Sequence, residues 1–335
     1  MKRVSLSALV IAVFSMGCFW GDMVFAEPVK MRVSLGIPEH HFISKQYAEW
    51  AKMIEQNSKG TIKPELYYSA QLYRDNEVLK AIQTGAIEAG YVLSFVMENQ
   101  LVPAMKVLQM PFLYQTLDEA LKVLHSDIGE GMKKTAEQKG VKLLGFVSFS
   151  DPEGDGLMTR KLVKVPSDVK GIVLRTLSPE TSAMMKKWGA GPSFITGAEL
   201  YLGMQRGTIQ GSIVSVSSMI ERKLYEVAPY MIILPMISVH SGISMNKAFF
   251  DRLTPIQQKV IMDASAVIDK NNYGIAISTY KKDLEELKKK AKVYFPSEAE
   301  LVQWRAGCEE VWAETARSNK DVADALIKVR AMLKR

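Results

Sequence analysis

The chain has 335 residues, carries 43 Lys and Arg against 36 Asp and Glu for a formal net charge of +7, and is 47% apolar. That apolar share excludes a disordered chain, and two cysteines exclude a disulfide framework. The positive charge is spread along the chain without one basic block, which argues against nucleic acid as the main partner and fits weak steering of a small anion.

Lys2 and Arg3 precede an apolar run from Val4 to Trp20, and Val24-Phe25-Ala26 stands before Glu27. This pattern reads as a secretory signal peptide over 1–26, cleaved after Ala26, which implies a periplasmic protein. The run is shorter than the roughly 20 residues of a membrane span. A lipoprotein cut at Cys18 is the second reading, although Ser15 occupies the place where a lipobox has leucine. After cleavage only Cys308 remains, and the length suggests two domains of about 150 residues each.

Along the remaining chain, Met31, Val33 and Leu35 alternate with Arg32 and Ser34, the period of a half-buried strand. An amphipathic segment from about Ser44 to Ser58 predicts a helix, followed by a strand over 62–67 and a second helix with Asp75 as its N-cap and Gly85 at its end. Strand, helix, strand, helix predicts an α/β layered domain with largely parallel strands. Gln83-Thr84-Gly85-Ala86-Ile87-Glu88-Ala89-Gly90 is echoed by Gln205-Arg206-Gly207-Thr208-Ile209-Gln210-Gly211, which predicts two similar lobes with a ligand crevice between them. Thr254-Pro255-Ile256-Gln257 combines an N-cap, a proline at the first helical position and a reciprocal glutamine. The helix it opens runs to about Ala291, on the order of 55 Å, which is longer than one lobe needs.

Arg175 ends the short apolar run Ile172-Val173-Leu174 and faces the second glycine loop in sequence. A guanidinium there suits a carboxylate, because its planar fork grips two oxygens at any working pH. An exposed arginine closing a strand is the other reading. His40 and His41 with Glu39 do not make a metal site: neighbours on an extended loop point apart, and no other His or Cys has ligand spacing. His40 is a candidate polar contact to a ligand. His240 fits either the cleft or a hydrogen-bonded place near a hinge. Phe149 and Phe194 are candidates to flank a ligand or to fill the core, and Ser94 offers a hydroxyl between Leu93 and Phe95.

The chain resembles the solute-binding proteins of tripartite ATP-independent periplasmic (TRAP) transporters, dicarboxylate-binding type. The resemblance rests on the order and spacing of Pro38 and His40, Lys59-Gly60-Thr61-Ile62, Ser69-Ala70-Gln71-Leu72, Gln83 to Glu88, Val107 to Leu113, Pro166 to Arg175, Gly189-Ala190-Gly191-Pro192, Glu199-Leu200-Tyr201, Tyr225-Glu226-Val227 and Leu253-Thr254-Pro255. It implies a two-lobe periplasmic binding protein fold, hinge strands and a long lobe-spanning helix. The first lobe is expected from 27–152 plus about 241–280, and the second from 153–240 plus about 281–335. It also implies that Arg175 matches the arginine that holds the ligand carboxylate, and that the partners are a small organic acid and the transporter's membrane subunits, with no cofactor.

Two departures from the family pattern bear on the ligand. Where many relatives read Asp-Gly and then a Glu-Asn-Pro-like run, Gln210-Gly211-Ser212 leads into Ile213, Val214 and Ser215, so a polar wall becomes apolar. Where some members carry a second arginine, Asp155 or Gly156 stands. A ligand with one carboxylate and a partly apolar body is expected, held by Arg175, His40, Ser94, Phe149, Phe194, Val214 and Ser215. An enzyme is not expected, since neither Gly-x-Ser-x-Gly nor a plausibly placed Ser-x-x-Lys occurs. The alternative function is a binding protein of an ABC transporter or a ligand-sensing receptor partner. Monomer and homodimer both stay open.

Overall fold

The computed structural model describes residues 27–149 and 154–335. The expected signal peptide, with Cys18, and the start of the loop at Ser150 lie outside the described residues. Among the described residues no helix is long and apolar enough to cross a membrane.

In chain order the strands are β1 (Val29–Ser34), β2 (Ile62–Tyr67), β3 (Ala89–Leu93), β4 (Val141–Ser148), β5 (Asp155–Thr159), β6 (Val173–Thr176), β7 (Gly191–Phe194), β8 (Gly211–Ser215), β9 (Tyr230–Ile233), β10 (His240–Asn246) and β11 (Lys292–Tyr294). They form two sheets, ordered β2-β1-β3-β10-β4 and β11-β9-β5-β8-β6-β7. Each sheet is the centre of one lobe. β1 runs parallel to β2 and β3, and β6 runs parallel to β7 and β8, as strand-helix-strand crossovers require. β10 and β5 are the exceptions, each lying antiparallel between two neighbours.

The echoing glycine segments occupy matching places. Helix Val78–Thr84 ends on Gly85 at φ +75°, and helix Leu200–Arg206 ends on Gly207 at φ +77°. Both are left-handed caps, where a Cβ is disfavoured, and each leads within four residues into a central strand, β3 or β8. The helix after β2 starts later than expected: it opens at Val78 behind Glu77, with no side-chain cap, so Asp75 is not its N-cap.

The chain crosses between the sheets three times, by two direct strand-to-strand passages, from β4 to β5 and from β9 to β10, and then through the long helix from β10 to β11. The two direct passages are tied together: Phe149 N donates to Val239 O at 2.9 Å and Leu234 N to Asp155 O at 3.0 Å. Phe112 N donates to Met236 O at 2.8 Å, which fixes the return passage to the first lobe. His240 lies at this hinge, fully buried, with its ring nitrogens 3.1 Å from Ser148 Oγ and 2.6 Å from Ser238 Oγ.

The long helix spans Pro255–Lys290, 36 residues, and its start is the expected reciprocal box: Thr254 Oγ1 accepts from Gln257 N while Gln257 Oε1 accepts from Thr254 N. It packs on β4 and on helix α1 (Phe42–Asn57) of the first lobe, and on helix α2 (Val216–Glu221) of the second. Its buried stripe is Ile261, Ala264, Ile268, Asn272, Ala276, Asp283 and Leu287, and Ile256 and Val267 lie off that stripe and are exposed. Trp50 Nε1 donates to Ser265 Oγ at 2.9 Å, and Ser148 N donates to Asn272 Oδ1 at 2.7 Å. The C-terminal helices reach both lobes. Trp304 meets Trp188 edge-on at 4.7 Å, Trp312 Nε1 donates to Pro111 O at 2.9 Å, and Arg335 pairs with Glu119 at 2.7 Å.

Candidate ligand-binding site

Between the lobes lies a cavity of about 90 Å³ that opens into a cleft of about 600 Å³. Arg175, Arg222, Asp75, Phe95, Leu177 and Gly197 border both spaces. Arg175 gets there because β6 is a short strand inside the second sheet, next to β8, and its last residues reach the sheet's carboxyl edge, where ligand crevices form in α/β layers.

Arg175 is only 8% exposed. Its Nε donates to Ile195 O at 3.1 Å, and one Nη lies 3.5 Å from Ile213 O. No other hydrogen bond engages the fork among the described residues, so donors remain for a ligand oxygen. Burial lowers this guanidinium to about 10, with Arg222 pushing the same way and Asp75 opposing. An anion in the cavity relieves that strain, since a buried charge needs a partner.

Sequence reasoning missed three residues. Arg222, just past the end of α2, donates to Gly197 O at 2.7 Å and brings a second guanidinium to the wall. Asp75 turns into the interface instead of capping a helix. Its carboxyl makes no hydrogen bond among the described residues, and burial raises it against the pull of Arg222 and Arg175. Tyr91 on β3 borders the cavity with a buried hydroxyl that lacks a partner among the described residues. Polar atoms left this way cost about 1–3 kcal/mol each unless something else serves them.

The expected residues divide by location. Phe149, Val214 and Ser215 line the cavity with Arg175. Ser215 also caps α2, its hydroxyl accepting from Ser218 N at 3.1 Å while its own proton stays available. Phe194 is 63% exposed on edge strand β7 and lines the wider cleft rather than the core. His40 and Ser94 do not border either space. His40 sits on an exposed turn, and Ser94 is buried at the hinge, its hydroxyl accepting from Gln109 Nε2 at 3.3 Å and from His240 N at 3.4 Å. Asp155 lies on the wall as well. Apart from Ser218, the rest of the lining is apolar, with Ile37, Leu93, Leu200, Ile213, Ile237 and Val239. No cluster of three metal-ligating side chains occurs among the described residues.

The model of the family described as bacterial extracellular solute-binding protein, family 7, matches residues 34–319. A solute-binding protein of Verminephrobacter eiseniae is 28% identical over 246 residues, 72% of this chain and 71% of its own length. Among solved structures, a TRAP periplasmic solute-binding protein of Chromohalobacter salexigens with bound D-glucuronate superposes with a TM-score of 0.84 at 18% identity, covering 90% of this chain and 99% of its own. One from Sulfurospirillum deleyianum with bound succinate gives 0.84 at 19% identity, covering 91% and 99%.

Proposed function

The chain belongs to the bacterial extracellular solute-binding protein family 7, and from that premise we propose that it holds one carboxylate of a partly apolar organic acid on Arg175. It is a solute-binding protein of the TRAP kind and not an enzyme, which sets aside the ABC alternative. The observation that carries the ligand reading is Arg175 itself: a buried guanidinium at the mouth of a cavity, with donors to spare and apolar residues around it.

The head of the acid lies against Arg175, with Ser215 as a further donor, and its body lies along Phe149, Val214, Ile237 and Val239. Arg222 does not call for a second carboxylate, because Asp75 borders the same cavity and interacts electrostatically with it. Tyr91 and Asp75 favour a ligand that also carries a small polar group, such as a hydroxyl, able to accept from one and donate to the other. Binding at such an interface draws the lobes together, because only their closed arrangement touches the ligand from both sides.

The test is a thermal-shift panel of acetate, pyruvate, pyroglutamate, phenylacetate, succinate and D-glucuronate, with phenylacetamide and glucose as uncharged controls. A monocarboxylate is expected to raise the melting temperature most, and its amide not at all. Stabilisation confined to glucose or phenylacetamide would overturn the reading.

A further inference from the structure

His41, rather than its neighbour His40, is the histidine that the fold withdraws from water, and it is buried at the start of α1 in the first lobe. Its Nδ1 accepts from Ile43 N at 3.1 Å, which places the ring proton on Nε2. That Nε2 lies 3.2 Å from Glu221 Oε2, inside ion-pair reach though not aligned as a hydrogen bond, and Glu221 ends α2 in the second lobe. The imidazole also lies 5.1 Å from the ring of Phe149, a cavity wall. The residue after Glu221 is Arg222.

We propose that His41 and Glu221 form a clasp between the lobes that positions Arg222 at the cavity. This rests on the binding reading above. Each partner finds its counterpart only in the other lobe, so opening the cleft must hydrate both, and the contact favours the closed arrangement without touching the ligand. Arg222 is held by this contact on one side and by Gly197 O on the other. Lys45 of α1 and Asp283 of the long helix also act on Glu221, and neither replaces His41: no ion pair joins them to it among the described residues. Both clasp residues are positioning residues.

Glu221→Ala and His41→Asn test it, the asparagine keeping an N-cap acceptor for α1. Using the acids named above, stopped-flow measurements should show dissociation about tenfold faster in each variant, with association and the ligand-free melting temperature little changed. The double variant should lose no more than either single one. Dissociation within twofold of wild type, or fully additive losses, would overturn the clasp. A second measurement needs no ligand: because His41 and Glu221 meet only at the tips of their side chains, His41→Cys with Glu221→Cys should be joined by a short bifunctional maleimide, which bridges that span and traps each closure of the lobes, while the single variants should not. Absence of the cross-link overturns the clasp. If none of the acids binds, the carboxylate reading falls, and the cross-link still decides whether the lobes meet here.

Discussion

Arg175 uses part of its fork on the protein, bracing Ile195 O and Ile213 O, and the rest faces the cavity. The sequence showed the residue and its strand end. It did not show Arg222, which stands in Ser217-Ser218-Met219-Ile220-Glu221-Arg222-Lys223, a run that looks like an ordinary solvated helix end. Asp75 was hidden differently: an aspartate ahead of an apolar segment satisfies the N-cap pattern, and only the later helix start frees it for the cavity. Gly36 tests its role, because a Cβ there would fall 1.7 Å from Asp75 Oδ1. Gly36→Ala is expected to swing that carboxylate aside and weaken acid binding by about tenfold, the scale of one hydrogen bond to a charged group. Unfolding should shift only slightly, since the displaced atoms end a short side chain. Unaltered affinity in calorimetry would remove Asp75 from the site.

Elements were more legible than contacts, and the reason is periodicity. The long helix, its capping box and the two glycine-ended helices each leave a local signature that packing does not need to complete. What periodicity cannot convey is which lobe an exposed segment rests on. Ile256 and Val267 are apolar like the packed residues but fall on the other side of the helix and remain exposed, because the stripe that packs is set by α1, β4 and α2. Thr254→Ala removes the acceptor for Gln257 N, and we expect a loss of about 1 kcal/mol in urea unfolding with ligand affinity unaltered. A lowered affinity would show that the start of this helix governs the relation of the lobes as well as their stability.

Across the whole molecule, buried titratable groups shape the pH response, His240, His41 and Glu221 at the lobe interface among them. Burial lowers His240 and His41 to about 3, from an ordinary value near 6.5, and raises Glu221 to about 7. Between about pH 6.5 and 3 the unfolded chain binds a proton at each histidine that the folded protein does not, so their contributions are complete above pH 6.5 and are lost as pH falls. Glu221 has the opposite sign: between about pH 4.5 and 7 the folded protein holds a proton that the unfolded chain releases, so its contribution falls as pH rises. In the window from about 4.5 to 6.5 it cancels one histidine. Burial raises the Glu98 carboxyl well above the ordinary carboxylate range too, with the sign of Glu221, so the two carboxyls offset the two histidines across that window. His240→Asn removes one histidine from that balance, so relative to wild type its stability should rise toward acid by about 1.4 kcal/mol per pH unit in urea titrations, and a profile parallel to wild type would mean that His240 plays no part in it.

The binding claim is tested most directly at Arg175, by isothermal calorimetry on wild type, Arg175→Lys and Arg175→Ala with the acid that stabilises the protein most. Because the guanidinium grips a carboxylate through a planar fork, a steep loss is expected in both variants, about a hundredfold or more for alanine, with lysine failing to restore wild-type affinity because it binds as a point charge. Equal affinity in wild type and Arg175→Ala would contradict it.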